Sequence, residues 1–308
     1  MMKLSISNIA WNVADDDKVA ELLVSLNVSY IDTAPGKYFS DIKNVKDEEI
    51  VKVRQWWQDR NIQFAGMQSL LFGTTGLNLF DIQTQQPLLH HLEKVCHIGS
   101  LLGATRLVFG SPKNRDRSKL DDNSTNDIAL DFFNKLGNIA KSEGVIICLE
   151  ANPVCYGTNF LTTTKEATEF VKELNHKNIR LQLDMGTVYT NHEDFSDIEK
   201  YAELLGHIHL SEPNLAKLNS EQLSNDQFHI KCGEELKKLF SNSLLKTDIA
   251  TIEMLIKDAS STDDYLQSIS SAVEASRKIY GVENYIKIST SQNTKSFFHQ
   301  KREITAVL

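Results

Sequence analysis

Short apolar runs with strand-like spacing alternate along the chain with longer stretches whose apolar positions recur every three or four residues. Residues 3–10, KLSISNIA, alternate as a half-buried strand does. Asp15, Asp16 and Asp17 follow, where the positive end of a helix favours carboxylates, ahead of VAELLVSL. SYIDTAP (29–35) predicts a second strand. DEEIVKVRQWWQDR (47–60) predicts a helix with Ile50, Val53 and Trp57 on one face. IQFAGMQSLL (62–71) is a third strand candidate, followed by a loop and a helix around 87–102. TRLVFGSP (105–112) and a helix over 124–143 repeat the unit. VIICLEANP (145–153) carries the unbroken apolar run of a parallel strand covered on both faces. TKEATEFVKEL (164–174) predicts a helix capped by Thr163 or Thr164. IRLQLDMG (179–186), GHIHLSEP (206–213) and DIATIEML (248–255) complete the strands. Helices are expected over 193–205, 229–240 and 262–280.

Eight strands alternating with eight helices imply parallel βαβ units, and eight units can close into a single-domain (β/α)8 TIM barrel. A doubly wound open sheet is the competing fold. Neither GxGxxG nor GxxxxGK[ST] follows an early strand, so its phosphate-binding signals are missing. The barrel is expected over 1–281, with 282–308 a polar C-terminal extension outside the repeat. The length of 308 residues suits one such domain.

Charge narrows the partners. With 41 acidic against 33 basic residues the net charge is −8, the opposite of the basic footprint of a nucleic-acid binder. No run approaches the length of a membrane span, and MMKLSISNIAW has no signal-peptide core, so a cytoplasmic protein is expected. Cys96, Cys148, Cys155 and Cys232 show no paired spacing and fit a reducing compartment. Cys148 reads as a buried thiol.

Catalytic groups of such barrels sit where strands end. Glu150 closes VIICLE, Asp184 closes IRLQLD, His209 lies in HIHL and Glu253 in ATIEML. Taken singly, each has an ordinary explanation as a cap, an ion pair or a core histidine. Four on consecutive strands point to one shared site, because a carboxylate at the end of an apolar strand needs a cation or donors. Three carboxylates and one imidazole suit Mn²⁺ first, with Mg²⁺ or Co²⁺ as alternatives. His207, one pleat from His209, is either a neighbour in the site or an orienting group.

The pieces ICLEANP, LQLDMGT, HIHLSEP and TIEML resemble the metal-binding strands of the sugar phosphate isomerase/epimerase family, with its xylose isomerase-like TIM barrel. The resemblance runs through most of residues 3–280; SNIAW, MQSLLFG and VFGSPKNR share it less diagnostically. It implies that Glu150, Asp184, His209 and Glu253 bind one Mn²⁺ or related ion, and that Glu150 and Glu253 also transfer protons. A metal would acidify the C–H between a carbonyl and a hydroxyl and stabilise the enediolate. One glutamate would then remove a proton and the other return one. The expected partner is a small-molecule sugar, sugar phosphate or polyol, and a homo-oligomer is compatible with this. Three departures concern the substrate. Thr187 stands where many members have histidine, Lys217 is the only cation near an expected arginine, and ANPVCYGTNF lacks a second glutamate.

Other candidate substrate contacts are Asn8, Gln68, Asn152, Tyr156, Thr187, His207 and His229, the last after a long loop (214–228) that could act as a lid. Lys113 and Arg115 form a basic loop that would hold a phosphate if the substrate has one, and otherwise reads as solvated charge. Trp11 and Phe72 could wall a sugar ring. Epimerisation, isomerisation and dehydration of a keto-polyol all use this constellation. An abasic-site nuclease would need more histidine ligands, and a non-catalytic binding barrel would not need the four ligands.

Overall fold

The protein is described by a computed structural model covering residues 2–218 and 226–281. Each apolar run condenses into a short strand: β1 (Lys3–Ser7), β2 (Tyr30–Thr33), β3 (Gln63–Met67), β4 (Arg106–Phe109), β5 (Ile146–Glu150), β6 (Ile179–Asp184), β7 (Leu205–Ser211) and β8 (Ile249–Glu253). Neighbours pair in parallel and in sequence order, and β8 returns to β1 with Lys3 opposite Ile249, closing the barrel. The expected extension 282–308 lies outside the described residues.

The strands are shorter than their apolar runs because polar side chains end them. Ser7 caps a 3-10 turn over Asn8–Ala10 by accepting from the Ile9 N–H. β3 stops before Ser69, whose φ of 55° leaves the extended region.

The helices are α1 (Asp16–Ser25), α2 (Asp47–Gln58), α3 (Ile82–Leu102), α4 (Asp122–Ser142), α5 (Thr164–Leu174), α6 (Met185–Thr190), α7 (Gln227–Ser241) and α8 (Thr262–Tyr280). Thr163 is the cap of α5, and α8 opens with a reciprocal Ser261–Asp264 capping box. α3 starts before the expected residue 87, capped by Asp81 and carrying Pro87 inside.

The helix expected over 193–205 is instead two 3-10 segments, Phe195–Lys200 and Ala202–Leu204. Asp194 accepts from the Ser196 N–H, a local bond that competes with α-helix, and Phe195 and Ile198 are buried at the 3-10 spacing. The apolar pattern does not predict the α6 turn. Its sequence, MGTVYT, is poor in helix formers, and Asp184 nucleates it by accepting from the Thr187 N–H.

Apolar side chains of strands and helices merge into one core. The barrel interior, usually filled by branched aliphatics, here holds a polar layer. Asp32 is fully buried and accepts from Ser5 Oγ (3.1 Å). Its Oδ2 is 2.7 Å from His207 Nε2, which is also 3.2 Å from Thr251 Oγ1. His207 and His209 overcome the cost of burying Asp32 and hold its carboxyl below the ordinary range. A Cβ at Gly66 would stand 2.6 Å from Asp32 Oδ2, so only glycine lets β3 pass this carboxylate. Cys148 is buried, and burial pushes its thiol up to about 12. Among the described residues no helix is long and apolar enough to cross a membrane.

Candidate metal centre and active site

Parallel register carries four side chains to one rim. Asp184 pairs with His209, Ser211 with Glu253, and Glu150 with Gln182. One donor atom each from Glu150, Asp184, His209 and Glu253 lies within 4.8 Å of all the others. His209 Nδ1 is 3.0 Å from Glu253 Oε2 and 3.6 Å from Glu150 Oε1.

The remaining oxygens are held by neighbours. Asn152 Nδ2 donates to Glu150 Oε2 at 2.9 Å, and Gln68 Nε2 donates to Glu253 Oε1 at 2.5 Å. Asp184 accepts from the Thr187 N–H at 2.7 Å and from Ser211 Oγ at 2.5 Å. Each glutamate thus gives one oxygen to an amide and turns the other toward His209.

Burial, then the charges of Asp184 and Glu253, push the Glu150 carboxyl up to about 8. Asp184 is raised by burial and by Glu253. Burial alone would lower the His209 imidazole, but Glu253, Glu150 and Asp184 outweigh it and hold it at about 10. Three carboxylates around one imidazole leave negative charge in a dry place, which a divalent cation would neutralise. The donor set fits such an ion.

Glu150, Asp184 and Glu253 border a cavity of about 190 Å³ that Gln68, Asn152, Tyr156 and Thr187 also line, with Val108, Pro112 and Leu215 as apolar wall, while His209 lies buried behind the carboxylates. Among the described residues no lysine or arginine lines it. A groove of about 460 Å³ along α4 and α5 is larger but holds none of these groups. Chemistry, not volume, marks the site. Ser69 (φ 55°), Ser111 (φ 41°) and Leu215 (φ 56°) line the cavity with left-handed backbone, costly for residues with a Cβ. Gln68 Oε1 is buried with no hydrogen-bond partner among the described residues, so it can accept from a ligand hydroxyl. The Thr187 hydroxyl donates to the Ala151 carbonyl (3.1 Å), and Tyr156 Oη accepts from the Asn214 N–H (2.8 Å), tying two rim loops together.

Other candidates fall elsewhere. Asn8 is a buried strut: Nδ2 donates to Thr33 Oγ1 and Oδ1 accepts from the Ala34 N–H, both at 2.9 Å. Arg115 is no rim cation but fully buried, donating to the Glu150 carbonyl and to Asn152 Oδ1. Burial lowers its guanidinium to about 10, with Glu150 opposing. Lys113 is exposed and outside the cavity lining.

His207 lies with Asp32 in the barrel interior, outside the lining of that cavity. His209 Nε2 is 4.0 Å from the same Asp32 oxygen. His229 is buried away from the cavity, hydrogen-bonded to Tyr280 Oη and 3.0 Å from Glu212 Oε1. Glu212, Asp226 and His229 are also near enough to one another to hold an ion; His229 Nε2 faces Glu212 without a hydrogen bond, and Asp226 Oδ1 caps α7. Residues 219–225 of the expected lid are outside the described set.

Trp11 is buried against Trp57 and donates to Asp16 Oδ1 (2.7 Å), and Phe72 is 84% exposed; neither lines the cavity. Two further polar residues support the site, Ser211 on Asp184 and Asp32 beneath His209. Ser211 shares the face of His209 two residues earlier, and Asp32 is a lone acid inside an apolar strand. Both signals were readable.

No curated protein matches the sequence significantly. Solved structures do match its fold. D-psicose 3-epimerase, crystallised with D-fructose, superposes with TM-score 0.71 at 19% identity, covering 91% of this chain and 100% of that one. The 3-keto-D-glucoside 4-epimerase of E. coli gives 0.67 at 13% identity over 88% and 98% of the two chains. The IolI protein, solved with a zinc atom, gives 0.66 at 16% identity over 91% and 98%. A family model described as xylose isomerase-like TIM barrel matches residues 20–269. Spanning most of the sequence, that match places the chain in the xylose isomerase-like TIM barrel family.

Proposed function

We infer that this protein is a divalent-metal-dependent isomerase or epimerase of a small uncharged sugar or polyol. Glu150, Asp184, His209 and Glu253 hold the ion, and Glu150 and Glu253 form the proton-transfer pair. The observation that carries the reading is the matched setting of the two glutamates. Each has one oxygen fixed by an amide donor and the other turned to His209, at the edge of one cavity. Two structural neighbours are epimerases, which supports the reaction class, and the zinc in the third supports a metal. The oxygen-rich donor set with one imidazole favours Mn²⁺, with Mg²⁺ or Co²⁺ next.

A cation held by Glu150, Asp184, His209 and Glu253 would supply Lewis acidity toward a carbonyl and its neighbouring hydroxyl. The chain's own groups do the rest. One glutamate accepts the proton from the substrate carbon, and the other delivers a proton to the opposite face or the adjacent carbon. Gln68 Oε1 accepts from a sugar hydroxyl, and Val108, Pro112 and Leu215 exclude water from one side. Uncharged substrates are favoured because the described lining carries carboxylates and no lysine or arginine. The test is substrate-dependent deuterium incorporation from D₂O, with Mn²⁺, across ketoses and their phosphates. Incorporation into a free ketose is expected; none into any member of the panel would overturn the reading.

A further inference from the structure

Arg115 leaves the loop after β4 and runs inward until its side chain is fully buried. A guanidinium there needs acceptors, and it finds two. Nη1 donates to the main-chain carbonyl of Glu150 at 2.9 Å, and Nη2 donates to Asn152 Oδ1 at 2.7 Å. Arginine has donors only, so the oxygen of the Asn152 amide must face it and the NH₂ must face away. That NH₂ donates to Glu150 Oε2. Arg115 therefore grips Glu150 twice, at its carbonyl directly and at its carboxylate through Asn152. The third side is closed by Gly110, where an added Cβ would run into Glu150 Oε2. With Oε2 pinned, Oε1 is the oxygen left to face His209 Nδ1. Gln68, the amide on Glu253, has no such lock, since its oxygen has no partner among the described residues.

We propose that Arg115 is a positioning residue of the metal centre: by fixing the amide of Asn152 it fixes the orientation in which the Glu150 carboxylate is presented to the cation. The proposal rests on Glu150 being a metal ligand, as argued above. Lysine cannot substitute, because a compact ammonium lacks the planar fork that serves two acceptors in fixed directions.

The test uses Mn²⁺ alone, with affinity read by calorimetry and the site by electron paramagnetic resonance, on the full chain. The wild type is compared with Arg115→Lys, Asn152→Ala and the double variant. Each single variant is expected to lose about ten-fold in Mn²⁺ affinity and to change the Mn²⁺ spectrum. The double variant is expected to lose no more than the worse single one, since both substitutions break the same chain of contacts. Losses that multiply to about a hundred-fold overturn the proposal. Unchanged affinity and spectrum in either single variant also overturn it, even if the melting temperature falls, because Arg115 would then be only a structural strut. Asn152→Ala keeps the guanidinium on the Glu150 carbonyl, so it remains decisive if Arg115→Lys does not fold. A wild-type chain that takes up no Mn²⁺ gives a different signature and overturns the metal reading itself, and the proposal with it.

Discussion

Gln68, just past the end of β3, reaches across the barrel mouth to donate to Oε1 of Glu253, at the end of β8, over 2.5 Å. This bond leaves Oε2 of Glu253 turned to His209. Gln68→Ala should therefore loosen the carboxylate without removing it. Mn²⁺ affinity and deuterium exchange are expected to fall about 10- to 100-fold, the usual cost of losing a group that orients a ligand. Titration with Mn²⁺ and exchange at saturating metal check this; wild-type values in both would disconnect Gln68 from the site.

The metal-free site makes folding sensitive to pH. Burial raises the Glu150 carboxyl from 4.5 to about 8, so the folded state holds a proton that the unfolded chain releases earlier. Stability therefore falls as pH rises through that window. His209 is raised to about 10 against burial, chiefly by Glu253; its contribution is full below 6.5 and is lost as pH climbs toward 10. Both slopes have the same sign. In chelator, the melting temperature is expected to drop between about pH 6 and about pH 9, and added Mn²⁺ should stabilise more at the higher pH. A melting temperature in chelator that rises over this range would contradict the charge arrangement.

Asp32 and His207 form a buried pair beneath the site. Asp32→Ala leaves the buried imidazole without its hydrogen-bond partner and is expected to cost about 1–3 kcal/mol in denaturant unfolding. Gly66→Ala should also destabilise, since its Cβ would stand 2.6 Å from Asp32 Oδ2 and 2.8 Å from the Arg106 carbonyl. A neutral result for Gly66→Ala would mean that the strand yields at this point.

Lys113 is exposed and outside the cavity lining, so Lys113→Ala should leave exchange unchanged with free and phosphorylated ketoses alike. Kinetics on the matched pair of substrates decides it. A selective loss toward the phosphorylated one would restore the basic loop as a phosphate holder.

The alternation of β and α elements made the barrel legible, because strands covered by helices keep short apolar runs even where a few inward side chains are polar. The quartet was legible for the complementary reason: Glu150, Asp184, His209 and Glu253 interrupt those runs at the strand ends. Arg115 was not. Its loop, GSPKNRDR, reads as solvated charge, and nothing local signals that one guanidinium turns inward to meet Glu150 and Asn152 from 35 and 37 residues away. Asn8 misled for a similar reason, since its partners Thr33 and Ala34 belong to the next strand's end. Between β6 and β7, short-range bonds from Asp184 and Asp194 override the apolar pattern, giving one α turn and 3-10 segments in place of a single helix.

The central claim is that Glu150, Asp184, His209 and Glu253 together hold one divalent ion. Metal analysis of the purified chain after loading with Mn²⁺ and desalting tests it most directly, with the Glu150→Gln/Glu253→Gln double variant measured alongside. The account predicts close to one ion per wild-type chain and almost none in a double variant that still folds. Equal metal content in the two would contradict it.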